Sequence, residues 1–245
     1  MTKNLIVAHH LGLGDVFCIS PAIRYLCKKY ENVYVFSKSE YFENTLKLYH
    51  DVDNLSIIEI EDSIYAINYF IDNFKEEKEV YKCGIYKNND DLGKYKLPDI
   101  FYEQINIPVK VSSTHFNIDD EVIDDTVYNR VKEFEYIFVN AKSSGTNHIH
   151  ELKKIIPNDR LILNPNYNHY KESDEYYEIA QQVINLPLFS YVNIIKNAKE
   201  FYGIGHLFSI LGKFLCNEES KKVIYNYNKI NLSKNFFEGW EIYEI

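Results

Sequence analysis

Apolar and polar positions fall into short alternating blocks along the first third of the chain. An apolar run, "NLIVAH" (4–9), gives way to the small and polar "HLGLGD" (10–15), and then to "PAIRYLCKKY" (21–30), whose apolar positions recur at helical spacing. The pattern predicts a strand, a glycine-rich turn and a helix with Pro21 in its first turn, where a missing N–H costs nothing. "NVYVFS" (32–37) reads as a second strand, and strand, helix and strand together make a βαβ unit with a parallel sheet and a right-handed crossover. "SKSE" (37–40) has the form of a capping box for a helix reaching about Tyr49. "LSIIEIE" (55–61) is a third strand, and Asp62 caps a helix reaching about Phe74.

The pattern weakens at "KNNDDLGKYKLP" (87–98), recovers in a helix over 99–104, and is interrupted by the acidic "NIDDEVIDD" (117–125), the candidate linker. Alternation then resumes. Strands are predicted at 136–142, 160–165, 200–205 and 221–227, with helices near 148–155, 174–184, 191–197 and 206–214. The fold class is therefore α/β, with two Rossmann-like halves, 1–125 and 126–245.

Bulk properties narrow the function classes. The 245 residues carry a formal charge of −9, and arginine occurs only at Arg24, Arg130 and Arg160, so no basic stripe marks a nucleic-acid surface. Cys18, Cys27, Cys83 and Cys216 are scattered, without zinc-site or disulfide spacing, and read as thiols in a reducing compartment. The opening apolar run is too short for a signal peptide, and no stretch nears the ~20 apolar residues of a membrane span. The expectation is a soluble, cytoplasmic protein with no integral membrane segment.

The first candidate chemistry lies at the turn after the first strand. A helix that follows a parallel strand presents unpaired N–H groups at the carboxyl edge of the sheet, where ligands of open α/β folds sit. Gly12 and Gly14 permit backbone angles closed to other residues and a close approach by a ligand. A dinucleotide fingerprint would need glycine where Phe17 stands, which argues against a nicotinamide cofactor and against the acid near Glu40 as a ribose ligand. A carboxylate at this turn repels phosphate but accepts a proton from a hydroxyl, which makes Asp15 either a catalytic base or a helix cap.

The segment "LIVAHHLGLGDVFCISPAIRYL" (5–26) resembles the N-terminal segment of the heptosyltransferase-like glycosyltransferases (family 9-like): an apolar strand, a short loop, Gly-Asp, small or apolar residues, then Pro-Ala and a helix. A second segment, "FYGIGHLFSILGKFL" (201–215), is similar to that family's C-terminal Asp-Thr-Gly-x-x-His-Leu-Ala segment. Gly203, His206 and Leu207 match it, while Phe201 and Tyr202 stand at the Asp-Thr positions. The resemblance implies a GT-B fold of two Rossmann-like domains facing across a cleft, and sugar transfer from a nucleotide-diphosphate sugar to a glycan or other hydroxyl acceptor, without metal or cofactor and with inversion. It implies Asp15 as the base, with His10, Gly12 and Gly14 in the acceptor loop. On the donor side it implies Gly203, Gly205 and His206 at a helix N-terminus.

The turn "KSSGTNH" (142–148) adds Lys142, Ser143, Ser144, Gly145 and Thr146 as phosphate-facing candidates, because it follows a strand and precedes a helix. "NPNYNHY" (164–170) is a candidate lip for a base or sugar. "DVD" (51–53) has the Asp-x-Asp form of a metal-dependent transferase but lies between a helix and a strand, so it reads as a turn with Asp capping. The pairs His9/His10 and His148/His150 lack the helical carboxylate spacing of a metal motif. The competing class is a non-catalytic glycan- or protein-binding module on the same scaffold.

Overall fold

A computed structural model describes the chain apart from residues 1, 2, 62, 63, 85–96, 144, 145, 148–155, 158, 206, 227–231 and 245, with backbone only at 143, 146 and 147. It divides into two compact units, Met1–Val122 with Ile230–Phe236, and Ile123–Lys229 with Phe237–Ile245.

The first unit contains β1 (Asn4–Ala8), α1 (Leu13–Cys27), β2 (Asn32–Lys38), α2 (Phe42–Leu48), β3 (Leu55–Ile60), α3 (Ile64–Asn73), β4 (Lys78–Lys82) and α4 (Asp99–Gln104). Its sheet has the order β3-β2-β1-β4, parallel throughout. β1 is buried along its whole length, as expected of a central parallel strand covered on both faces. Ile6, Ala8 and Phe36 point to the α3 face, where Ile67, Phe70 and Phe74 pack on them. The intervening residues Leu5, Val7, Val33 and Val35, all fully buried, point to the other face by the period of two. The order reverses at β1: β2 and β3 lie to one side and β4 to the other. That reversal places a topological switch point between the carboxyl ends of β1 and β4.

Helix α1 begins at Leu13, eight residues before the predicted start, and Pro21 lies inside it. The proline removes the N–H that would bond the Phe17 carbonyl, but the buried Ser20 hydroxyl donates to that oxygen at 2.9 Å and closes the gap. The Cys18 carbonyl accepts from the buried Tyr102 hydroxyl at 2.8 Å. The predicted capping box at 37–40 does not form. Ser37 belongs to β2 and its hydroxyl pairs with Thr45 at 2.8 Å, while neither the short 3-10 turn at Ser39–Tyr41 nor α2 has a side-chain cap. β4 was not predicted; its sequence, KEVYK, is half-exposed along an edge and carries no continuous apolar run.

Residues of the acidic stretch 117–125 are tied down within their own units. Asn117 gives its carbonyl to Arg24 at 3.0 Å and Asp119 pairs with His50 at 3.0 Å, while Asp124 and Asp125 accept from Ser190 and Asn193 at 2.9 and 2.7 Å. "DVD" does form a turn, but Asp51 receives the Arg24 guanidinium in a bidentate pair at 2.7 and 2.9 Å instead of capping a helix.

The second unit contains α5 (Tyr128–Val131), β5 (Tyr136–Asn140), a small antiparallel hairpin of β6 (Lys142–Ser143) and β7 (Thr146–Asn147), β8 (Leu161–Leu163), α6 (Tyr177–Gln181), α7 (Val192–Lys196), β9 (Glu200–Ile204), α8 (Leu207–Leu215), β10 (Lys221–Asn226) and β11 (Glu241–Glu244). The main sheet has the order β11-β10-β9-β5-β8 and is parallel throughout. Its first strand, β5, is flanked by β8 on one side and β9 on the other, so a second switch point lies between the ends of β5 and β9. One face of the sheet buries Ile137, Val139, Tyr202 and Ile204. The other stacks Phe138 on Phe201, with ring centroids 5.5 Å apart and planes 20° from parallel, and adds Tyr191, Phe208 and Trp240 at the edges. β11 was also missed; it is a largely exposed edge strand with no apolar run.

Candidate active site

The carboxyl end of β1 runs into His9 and His10, and α1 starts three residues later. His9 is buried, and its Nδ1–H donates to the His10 carbonyl at 2.8 Å. Burial pushes the His9 imidazole below its ordinary value, partly opposed by that hydrogen bond, so the ring is neutral near pH 7. Its neighbour points elsewhere. His10 Nδ1 lies 2.6 Å from Asp15 Oδ2, with the two side chains 55% and 37% exposed.

Asp15 is not the cap of α1. Gly12 holds that position, accepting from the Asp15 and Val16 N–H groups at 3.0 Å each, and Asp15 sits in the first turn with its carboxylate turned back to His10. A carboxylate beside a helix N-terminus is favoured by the partial positive charge there. The Gly12 N–H also approaches His10 Nδ1, at 3.2 Å, and one nitrogen cannot donate to Asp15 and accept from Gly12 together.

The glycines act through space. Gly12 has φ −65° and ψ 138°, open to any residue, so the expected need for special angles does not apply there. A Cβ on Gly12, however, would lie 2.6 Å from Asp15 Oδ2 and 3.3 Å from His10 Nδ1. Gly14 lies in the first turn of α1. Beside this turn it is Gly84, just beyond β4, that needs unusual angles, with φ +65°. Its Cβ would meet Phe101 at 2.8 Å and His10 Cβ at 3.0 Å, and its N–H donates to Gln104 at 2.7 Å. His10 and Asp15 lie against Ile19, Cys83 and Phe101 with no room among them for a water molecule. Burial pushes the Cys83 thiol well up, so it stays protonated. Cys83, Gly84 and Phe101 were missed because they follow the unrecognised β4; the sign available was a lone glycine after an apolar–polar alternation.

The second unit brings its candidates to the ends of β5 and β9. Lys142 is exposed at the start of the hairpin, and Ser143 pairs in register with Thr146 across it. Ser144, Gly145 and His206 lie outside the described residues, as does the helix expected near 148–155. Gly203 is buried within β9, where a Cβ would come 2.5 Å from Ser209 Oγ and 2.7 Å from the Phe201 ring, so its smallness admits the packing of α8. Gly205 follows the strand and is half-buried. Phe201 and Tyr202 both point inward: Phe201 joins the aromatic stack, and the Tyr202 hydroxyl donates to Glu200 at 2.6 Å. Beside them, buried Asn140 at the end of β5 accepts from Asn166 Nδ2 at 3.1 Å and from the Lys142 N–H at 3.3 Å. The lip at 164–170 is thus folded onto the sheet edge by asparagine side chains, Asn164 accepting from the Asn166 N–H at 2.8 Å and Asn168 from the Tyr170 N–H at 3.0 Å.

No family model and no curated protein sequence matches this chain. Solved structures do share its fold. The chain is similar to the iron-containing dodecameric glycosyltransferase TibC from enterotoxigenic E. coli H10407, with a TM-score of 0.61 and 13% identity over 100% of this chain and 62% of that one. It is also similar to the glycosyl transferase family 9 protein from Veillonella parvula DSM 2008, with a TM-score of 0.53 and 11% identity over 99% of this chain and 85% of the other. The chain therefore spans less than two thirds of the length of TibC. At such identities the likeness is one of fold: two parallel-sheet, Rossmann-like α/β units.

Proposed function

We propose that this protein is a GT-B-type glycosyltransferase that moves a sugar from a nucleotide-diphosphate sugar to a glycan or other hydroxyl acceptor. One observation carries the reading. Each of the two segments that resemble the heptosyltransferase-like family falls at the topological switch point of its own sheet, the ligand position of open α/β folds. The fold shared with two glycosyltransferases supports the same reading.

Transfer needs a group to take the acceptor proton and groups to hold the departing diphosphate. In this proposal Asp15 is the base that takes the acceptor proton, with His10, Gly12 and Gly14 in the same loop. Lys142, the 143–146 turn, Gly205 and His206 hold the diphosphate. The arrangement of the two units across a cleft, a metal-independent and inverting course, a place in glycan biosynthesis and a cytoplasmic location belong to the proposal and rest on the family resemblance. Among the described residues no helix is long and apolar enough to cross a membrane.

A thermal-shift screen against UDP-, GDP-, ADP-, CMP- and dTDP-linked sugars, with and without EDTA, tests the reading. A donor at 100 times its dissociation constant adds about 2.7 kcal/mol of apparent stability. A shift with one nucleotide sugar that EDTA does not remove, followed by transfer that Asp15→Asn abolishes, is the expected outcome. No shift with any of them overturns it. The alternative, a non-catalytic binding module, draws on the burial of Phe201 and Tyr202, which leaves no side chain at either position for a ligand. A glycan-induced shift without any nucleotide-sugar shift would favour it.

A further inference from the structure

We propose that the open edge of β3 and the adjoining side of α3 form a docking groove for a partner protein, which adds an extended, basic segment to the first sheet. The groove lies within the first unit and shares no lining residue with the turn after β1, so it stands independently of the transfer reading.

Two observations meet there. β3 ends the order β3-β2-β1-β4, and among the described residues no strand pairs with its outer side, toward which half of its N–H and C=O groups point. Beside this edge runs a groove of about 1090 Å³, lined by residues 58–61 and by one side of α3. The apolar cover of the sheet is incomplete along it. Ile58, Ala66, Phe70 and Phe74 pack on the core of Ile6, Phe36 and Ile67 yet stay half-buried. Tyr65 and Tyr69, one helical turn apart, are 82% and 73% exposed, the two most exposed large apolar side chains among the described residues.

Charge then selects the occupant. Glu59, Glu61, Asp72 and Glu76 line the groove with a single lysine, Lys75. Glu76 also accepts from Asn4 Nδ2 at 3.0 Å, and Lys78 nearby gives its ammonium to the Phe74 carbonyl at 2.9 Å. Carboxylates along an edge keep acidic strands from pairing, a second copy of this chain of charge −9 among them, and leave the edge open to a basic one. In an added strand the side chains alternate between the two faces of the sheet. Those on the α3 side would cover Ile58, Phe70 and Tyr69, so they are apolar. Those on the other side run beside Glu59, and the ends of the segment reach toward Glu61 and Asp72, where lysine or arginine is favoured and can also lie over a tyrosine ring. The partner segment is therefore an alternation of apolar and basic residues.

The test is the binding of a fluorescently labelled peptide of about eight residues, alternating valine and lysine, to the full chain. It is measured by anisotropy and mapped by amide ¹H–¹⁵N spectra. A small interface of this kind should give saturable binding with a dissociation constant of about 10–100 μM at low salt, weakened about fivefold or more at about 0.5 M salt. The amide shifts should concentrate in β3 and α3. The double variant Glu59→Lys, Glu61→Lys should bind about tenfold more weakly and Tyr69→Ser about threefold, each with the wild-type melting temperature because all three side chains are exposed. A peptide of equal charge with two central prolines should not bind, because it cannot pair as a strand. No binding of the parent peptide, equal binding of the proline peptide, or shifts away from β3 and α3 overturns the proposal. Concentration-dependent changes in the β3 signals without peptide would assign the face to a second copy. Shifts on α3 with a neutral oligosaccharide but not with the peptide would assign it to a glycan, and either result overturns the added strand.

Discussion

The closest test of the geometry of the proposed acceptor site is Gly12→Ala, because it adds one methyl group at a position where the backbone tolerates it. With φ −65° and ψ 138° at residue 12, alanine brings no torsional strain. Its Cβ would stand 2.6 Å from Asp15 Oδ2, 0.8 Å short of an ordinary 3.4 Å contact, so the carboxylate must turn away from His10. Three stability effects largely cancel. Alanine in place of glycine lowers the entropy of the unfolded chain by about 0.4–1 kcal/mol. It is a poorer N-cap than glycine by about 0.5–1 kcal/mol. The lost ion pair, with side chains 55% and 37% exposed, is worth no more than about 1 kcal/mol after solvent screening. The sum runs from a gain of about 0.5 to a loss of about 1.6 kcal/mol, so the melting temperature falls by no more than roughly 3–6 °C for a chain of this size. A misplacement approaching 1 Å at the group that takes the proton costs about 100-fold in rate. Gly12→Ala should therefore melt within that range of wild type, show unchanged far-ultraviolet circular dichroism, and lose most of the proposed transfer activity. A variant that keeps the wild-type rate would refute the claim that this glycine makes room for the pair.

Other positions separate stability from chemistry. Gly84→Ala combines an unfavourable φ of +65° with contacts at 2.8 and 3.0 Å, and should cost about 2–4 kcal/mol in urea unfolding. Arg24→Met breaks a bidentate pair with Asp51 and removes donors from the carbonyls of Leu48 and Asn117, an expected loss of about 3 kcal/mol. The Arg24 guanidinium holds the Asp51 carboxyl below its ordinary 3.8, so that contribution is present above about pH 4 and fades as pH falls through the depressed folded value. The gap between wild type and Arg24→Met, followed by urea titrations from pH 7 downward, should close over that acid range, and a gap constant to pH 2 would be contrary. Ser20→Ala leaves the Phe17 carbonyl without the hydroxyl that replaces the missing proline N–H, at about 1–2 kcal/mol by the same assay. Phe201→Asp introduces the residue type of the heptosyltransferase-like segment at a fully buried position stacked on Phe138, and should cost about 4 kcal/mol or more in place of creating a donor ligand; a wild-type melt would show that the position opens to solvent.

The sequence pattern carries most of the strand framework because buried parallel strands are continuous apolar runs: NLIVA, YIFVN and EFYGI were each placed within a residue or two. The errors have physical causes. Pro21 predicts the start of a helix because proline favours that position, whereas here a neighbouring serine hydroxyl stands in for its N–H and the helix continues through it. β4 and β11 escaped notice because half-exposed edge strands need not be apolar on either face. The return of residues 230–236 to the first unit, with Leu232 bridging to Leu97 and Phe236 buried against Tyr102, depends on contacts more than a hundred residues apart, which periodicity does not encode.

The proposed acceptor site is legible in the sequence as residue types and not as an arrangement. Glycine, histidine and aspartate at one strand-to-helix turn indicated chemistry, but the His10–Asp15 contact depends on the path of the turn, and its enclosure depends on Gly84 from a strand that was missed. Stability gives no account of this arrangement. An ion pair as exposed as His10–Asp15 contributes at most about 1 kcal/mol, yet the chain omits a side chain at Gly12 to keep it and holds Gly84 in a left-handed conformation beside it. Local sacrifice without a return in folding energy is the mark of a functional site. The pair stands at the switch point of its sheet, the ligand position of open α/β folds, and that placement is the ground on which the proposed acceptor site rests.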